Sequence, residues 1–159
     1  MTFKPDMAVN QVNDLIFGRW KSRVLYTGVA LGVFDLLRSG ARNSPDICSQ
    51  LKLDSRNGYR LLRGLANIGL LAESEGGERG ALFTLTPAGE CLCAGHPSNL
   101  RDVTLLQDGP EHTAIWKHLP AMVREGWQNA FRHEYGATAF EYADTHPEYS
   151  RIFDAAMAS

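Results

Sequence analysis

Between Ala30 and Leu37 the chain is apolar nearly all the way round a helix: Leu31, Val33, Phe34, Leu36 and Leu37 leave only Gly32 and Asp35 to break the pattern. A segment of that kind must be buried on more than one side, by its own chain or by a partner. Upstream, Val12, Leu15, Ile16, Trp20, Val24 and Leu25 recur at three- and four-residue spacing. That spacing predicts a long helix over about 11–27 with an apolar stripe of its own. In a chain of 159 residues, several hundred Å² of surplus apolar helix surface marks an interface rather than a core. A homodimer is the expected state, with Phe17 and Trp20 beside its contact.

The rest of the chain divides at its punctuation. Ser39-Gly40 closes the apolar segment, and Ser44 is read as the N-cap of a short helix with Pro45 at its first position. Asp54 caps a helix to about Ile68, which Gly69 stops. Leu70 to Glu73 and Leu82 to Leu85 read as paired strands joined through Gly76-Gly77, and Thr86 caps a last short helix. Three helices followed by a two-stranded wing predict a mainly α fold built on a winged helix-turn-helix, flanked by N-terminal dimerisation helices and C-terminal helices. Helical periodicity returns over 99–107, 110–124, 138–143 and 147–157, with 127–136 read as loop. The expected divisions are a flexible tail (1–10), dimerisation helices (11–40), a winged-helix subdomain (41–97) and a helical substrate-side segment (98–159).

Composition removes several functional classes. The formal net charge is −2, so no whole-chain field draws the chain to nucleic acid or anionic lipid. Arg56, Arg60 and Arg63 share a face of the helix that a DNA-binding winged helix would use for recognition. Yet residues 44–95 hold five basic residues against six acidic ones, and the wing itself carries Glu73, Glu75 and Glu78. DNA affinity rests largely on phosphate neutralisation, so a free-standing DNA-binding regulator or ligand sensor is the lesser reading. No apolar run approaches the ~20 residues that span a bilayer. The three cysteines are an odd, sparse set suited to a reducing compartment, and a cytoplasmic protein is expected. Cys91-x-Cys93 has the wrong spacing for a metal site and no second pair, and no strand–Gly-x-Ser-x-Gly element marks a hydrolase.

Several motifs resemble one family. Ser22-Arg23-Val24-Leu25 through Gly32-Val33-Phe34-Asp35-Leu36-Leu37 is similar to the opening of plant caffeate/flavonoid-type and bacterial O-methyltransferases. So are Asp54-Ser55-Arg56 through Tyr59-Arg60-Leu61-Leu62-Arg63, Gly69-Leu70-Leu71, and Leu85-Thr86-Pro87-Ala88-Gly89. Trp116-Lys117-His118-Leu119, Tyr135-Gly136 with Phe140-Glu141-Tyr142, and Phe153-Asp154-Ala155-Ala156-Met157 follow in the family's order. The resemblance implies an interlocked homodimer, a small and aromatic hydroxylated acceptor, and S-adenosylmethionine as methyl donor for the full-length enzyme. It places the donor-binding Gly-rich loop, the acidic ribose ligand and the His general base in a Rossmann-like domain beyond Met157, so no cofactor-binding or catalytic residue is expected here. The chain is expected to be inactive alone. By the same resemblance Leu106, Gln107, His112, Ala139, Ala143, Tyr149, Phe153 and Met157 stand at positions of the acceptor-pocket wall. Flat apolar rings and a polarisable thioether suit an aromatic acceptor, and Phe153 and Met157, four apart, share a helix face that can clamp a ring. His112 departs from the plant pattern, which is apolar there.

Overall fold

The computed structural model describes residues 5–76 and 80–158. Helix α1 runs Pro5–Ala30, about 39 Å at the usual helical rise. The flexible tail expected over 1–10 is therefore corrected: residues 5–10 are helical, and 1–4 lie outside the described residues. A proline suits the first turn of a helix, and no breaker separates it from the apolar stretch that follows. Gly32, at φ 77°, then turns the chain into α2 (Val33–Leu37). That left-handed corner is one glycine adopts without strain.

Helices α3 (Ser44–Gln50) and α4 (Ser55–Asn67) follow. Asn43, not Ser44, caps α3: its side-chain oxygen accepts from the Asp46 N–H, while Ser44 is buried at the first helical position. Asp54 caps α4 as expected, accepting from the Asn57 N–H at 2.9 Å. Strands β2 (Leu71–Glu73) and β3 (Leu82–Leu85) pair antiparallel, with Leu71 opposite Leu85. The sheet has a third strand where two were expected. Arg42–Asn43 form β1, pairing antiparallel with β3 in the order β1-β3-β2. Two residues are too few to show a period-2 pattern, so the sequence carries no sign of it. Thr86 caps the four-residue α5 (Pro87–Glu90). One core forms between these elements, centred on Val33, Phe34, Ile47, Leu62, Leu65 and Phe83.

The C-terminal part is helical throughout, in shorter pieces than expected. Helix α6 spans Leu100–Gln107. The single helix expected over 110–124 is instead α7 (Pro110–Ile115), a 3-10 turn at Trp116–His118, and α8 (Leu119–Glu125). Pro120 has no N–H to offer the Trp116 carbonyl, so the ladder is interrupted there. The expected loop over 127–136 contains α9 (Ala130–Tyr135). Asn129, at φ 66°, caps it by accepting from the Arg132 N–H, and Gly136 ends it. Helix α10 (Ala139–Thr145) opens with a complete capping box between Thr138 and Glu141, and α11 (Pro147–Met157) closes the fold. A second core lies here, around Leu106, Phe131, Tyr149 and Ala156. Helix α1 packs on both α4 and α6, so it is the strut common to the two cores. Among the described residues no helix is long and apolar enough to cross a membrane.

Candidate functional site

Two surfaces stand out, and α1 belongs to both. Its N-terminal half carries Met7, Val9, Val12, Leu15, Ile16, Phe17 and Trp20, all exposed, with Leu15 at 76% and Trp20 at 59%. These side chains spread over most of the helix circumference, more widely than the stripe expected from their spacing. Phe17 and Trp20 lean on each other, ring centroids 4.8 Å apart. Fully burying seven such side chains is worth on the order of 10 kcal/mol before ordering costs. A helix so apolar on several sides calls for cover from more than one direction.

The C-terminal half of α1 reaches the second core. Arg23 donates to the Asp108 carbonyl at 2.6 Å, tying α1 to the end of α6, while its guanidinium lies over the Tyr26 ring. One turn on, Tyr26 forms a wall of a cavity of about 410 Å³, shared with Leu105, Leu106, Glu111, Tyr142 and Tyr149 among others. Behind that wall the rings of Phe131, Tyr135, Tyr142 and Tyr149 stack edge and face, with centroids 4.7–5.8 Å apart in the contacting pairs. Tyr149 is 5% exposed. Its hydroxyl and Nε2 of His112 are 3.0 Å apart. Burial pushes the Tyr149 phenol up to about 12, with the nearby Glu111 charge adding to the effect. Burial also holds the His112 imidazole below its ordinary value, against a smaller opposing pull from Glu111. Both groups are therefore neutral near pH 7.

Five of the positions named from the resemblance meet in one cluster: Leu106, Ala139, Ala143, Tyr149 and Phe153. His112 joins them through its bond to Tyr149 and an edge contact with Phe131 at 5.7 Å. Gln107 is exposed, outside the cluster. Phe153 and Met157 differ in how far they are covered. Phe153 packs half-buried between Tyr149 and Phe140, whereas Met157, on the last turn of α11, is 57% exposed. Leu106 and Tyr149 line the cavity directly. Tyr26, Glu111, Tyr142, His146 and Glu148, also on its walls, are not among the positions named from the sequence. Tyr142 alone carried a signal, inside the Phe140-Glu141-Tyr142 motif. The others depend on how α1, α7 and α11 converge.

The strand-to-helix junctions, β1 to α3 and β3 to α5, are capped by Asn43 and Thr86 and offer no glycine-rich loop. Gly76, at φ 135°, lies instead in the hairpin between β2 and β3. A dinucleotide-type loop needs glycines leading from a strand into a helix. No group of three or more His, Cys, Asp or Glu able to hold a metal occurs among the described residues.

The profile of the O-methyltransferase dimerisation domain matches residues 13–95, and the chain belongs to that family. It is 30% identical over 145 residues to the phenazine O-methyltransferase of Lysobacter antibioticus, covering 91% of this chain and 41% of that protein. The solved mitomycin 7-O-methyltransferase superposes with a TM-score of 0.86 at 27% identity, over 97% of this chain and 44% of the other. Human N-acetylserotonin methyltransferase, solved in complex with SAM, shares the fold with a TM-score of 0.82 at 24% identity, over 99% of this chain and 46% of the other. The chain thus spans less than half the length of these proteins.

Proposed function

We propose that this chain is the self-association and acceptor-binding portion of an O-methyltransferase that uses S-adenosylmethionine to methylate a small hydroxylated aromatic metabolite. The observation that carries the reading is the match of residues 13–95 to a dimerisation domain on a chain whose α1 leaves seven large apolar side chains uncovered. Two copies meeting through α1 give a homodimer. The winged-helix part, α2 to β3, serves as the frame from which α1 projects. Arg63 on α4 is held by Glu73 at 2.8 Å, which takes one of the three recognition-face arginines away from any phosphate.

The acceptor side is the aromatic cluster of α6, α7, α9, α10 and α11 with its adjoining cavity. Its neutral His112–Tyr149 pair offers a fixed polar contact behind apolar walls, the composition expected of a small-molecule site. Methyl donor and base belong to the part of the relatives that this chain does not span. What these residues contribute to methyl transfer is proximity and exclusion of water around the acceptor. Sedimentation of the chain, with calorimetric titration of S-adenosylmethionine and of 1-hydroxyphenazine, tests the reading. A dimer that binds the phenazine and gives no heat with the donor is expected. A monomer at micromolar concentration would sink it.

A further inference from the structure

The cavity beneath Tyr26 has a chemistry of its own. Its charged lining groups are the carboxylates of Glu111 and Glu148, and among the described residues no lysine or arginine lines it. Among the described residues neither glutamate has an ion-pair partner. The field of Glu111 reaches inward, raising the proton affinity of Tyr149, Tyr135 and His112. Arg23 lies over Tyr26 and donates to the Asp108 carbonyl; it keeps its positive charge there but is not part of the wall.

Aromatic side chains stand beside these carboxylates. His146 stacks on Tyr142, ring centroids 3.6 Å apart and nearly parallel. Its Nδ1 is 2.9 Å from the Tyr142 carbonyl. The Thr145 hydroxyl lies 3.0 Å from the same nitrogen. With Tyr26, Tyr142 and Tyr149 in its lining, the cavity combines aromatic side chains with two carboxylates that have no ion-pair partner among the described residues. Aromatic faces and carboxylates both attract cations.

We infer that this cavity selects an aromatic ligand bearing a protonated amine over neutral or anionic ligands of the same shape. The inference rests on the reading of the cavity as an acceptor site and adds the charge of what enters it. There is a competing role for the two glutamates. Each stands in the first turn of a helix, Glu111 in α7 and Glu148 in α11, where a carboxylate complements the helix dipole. That role predicts an effect on melting temperature and none on ligand choice.

Three phenols of matched outline separate these possibilities: tyramine (cation), 4-ethylphenol (neutral) and 3-(4-hydroxyphenyl)propanoate (anion), each titrated into the chain at pH 7 by ligand-observed NMR. Tyramine should bind about three- to tenfold more tightly than 4-ethylphenol, the size that two partly solvated ion pairs supply, and the propanoate more weakly than either. In the double variant Glu111→Gln/Glu148→Gln the tyramine advantage should vanish while 4-ethylphenol binding is kept. If the double variant fails to fold by circular dichroism, Glu148→Gln alone, at an exposed position, should cut the advantage to about half. Equal binding of all three phenols, or a tyramine preference that survives loss of the carboxylates, would overturn the inference and leave the acceptor site standing. No binding of any of the three would overturn both.

Discussion

The Tyr149 hydroxyl and the His112 imidazole, 3.0 Å apart, form a neutral pair at the junction of α7 and α11. Burial moves the two groups in opposite directions, His112 down and Tyr149 up to about 12, because each is thereby kept in its uncharged form. The pair joins a helix of the cavity wall to the aromatic cluster, so its protonation state bears on both stability and shape.

Acidification should weaken the fold through His112. The imidazole binds its proton less readily folded than unfolded, so its contribution is present above the ordinary value of 6.5 and is lost as pH falls below that. Glu134, Glu141 and Asp46 are held below the usual carboxylate range by Lys117, the Thr138 backbone and Arg42 respectively. Their contributions are lost only at lower pH, below the window from pH 7 to 5.5, and the His112 variant separates its share from that of the other four histidines. The melting temperature followed by circular dichroism should fall across that window, and His112→Gln should flatten the fall. An unchanged slope in the variant would remove His112 as its cause.

Charge placed on the uncovered part of α1 should separate the subunits without unfolding them. Leu15 and Trp20 are 76% and 59% exposed, so Leu15→Glu with Trp20→Glu leaves both cores untouched. Losing the burial of two such side chains in each subunit costs roughly 4 kcal/mol or more, about a thousandfold in the dimer constant. Sedimentation should find the parent chain at twice 17.6 kDa and the variant at that mass, with the same helical spectrum. A variant that remains dimeric would place the interface elsewhere.

The fold was legible in the sequence wherever one helix or hairpin carries its own signal. Asp54 and Thr86 cap the helices that they precede, and Gly69 follows the end of α4 at positive φ. The failures fall where a competing local effect decides. Pro120 interrupts α8's approach through the hydrogen bond it cannot make, and the capping side chain of Asn129 rescues α9 from a stretch rich in loop-forming residues. Asn43 takes the cap from Ser44 by being extended at the end of β1. Of the site, Leu106, Ala139, Ala143, Tyr149 and Phe153 were named by the family resemblance and not by spacing, and the structure brings them into one cluster. The cavity's carboxylates were not legible, because Glu111 and Glu148 sit on different helices and are brought together only by packing.

Phe131 should matter beyond its own area. It touches the rings of His112, Tyr135, Tyr142 and Tyr149 and is 6% exposed. Phe131→Ala should cost about 3–5 kcal/mol in urea unfolding and loosen the cavity wall with it. The first core, which shares no buried residue with the second, should keep native hydrogen-exchange protection at Leu62 and Leu65 in mildly destabilised samples. Equal loss of protection in both cores would show them to be one cooperative unit joined through α1.

The corner between β3 and α5 explains why Leu85-Thr86-Pro87-Ala88-Gly89 has the residues it has, and it yields the sharpest stability test. The Thr86 hydroxyl lies 2.7 Å from the Gly69 carbonyl and 3.0 Å from that of Leu70, and its oxygen accepts from the Gly89 N–H at 3.1 Å. This draws the first turn of α5 onto the end of β2 so closely that a Cβ on Gly89 would strike the Leu70 carbonyl oxygen. Backbone on both sides leaves no flexible side chain to move aside. Gly89→Ala should therefore destabilise by about 1–3 kcal/mol or more, although alanine is the better helix former. Gly18 on α1 has nothing within 4 Å of the same hypothetical Cβ. There Gly18→Ala should stabilise by about 0.5–1 kcal/mol in a subunit that keeps this surface open. A Gly89→Ala chain that melts at the parent temperature would mean that β2 and α5 can part without loss, and that the Thr86 hydrogen bonds do not fix the corner.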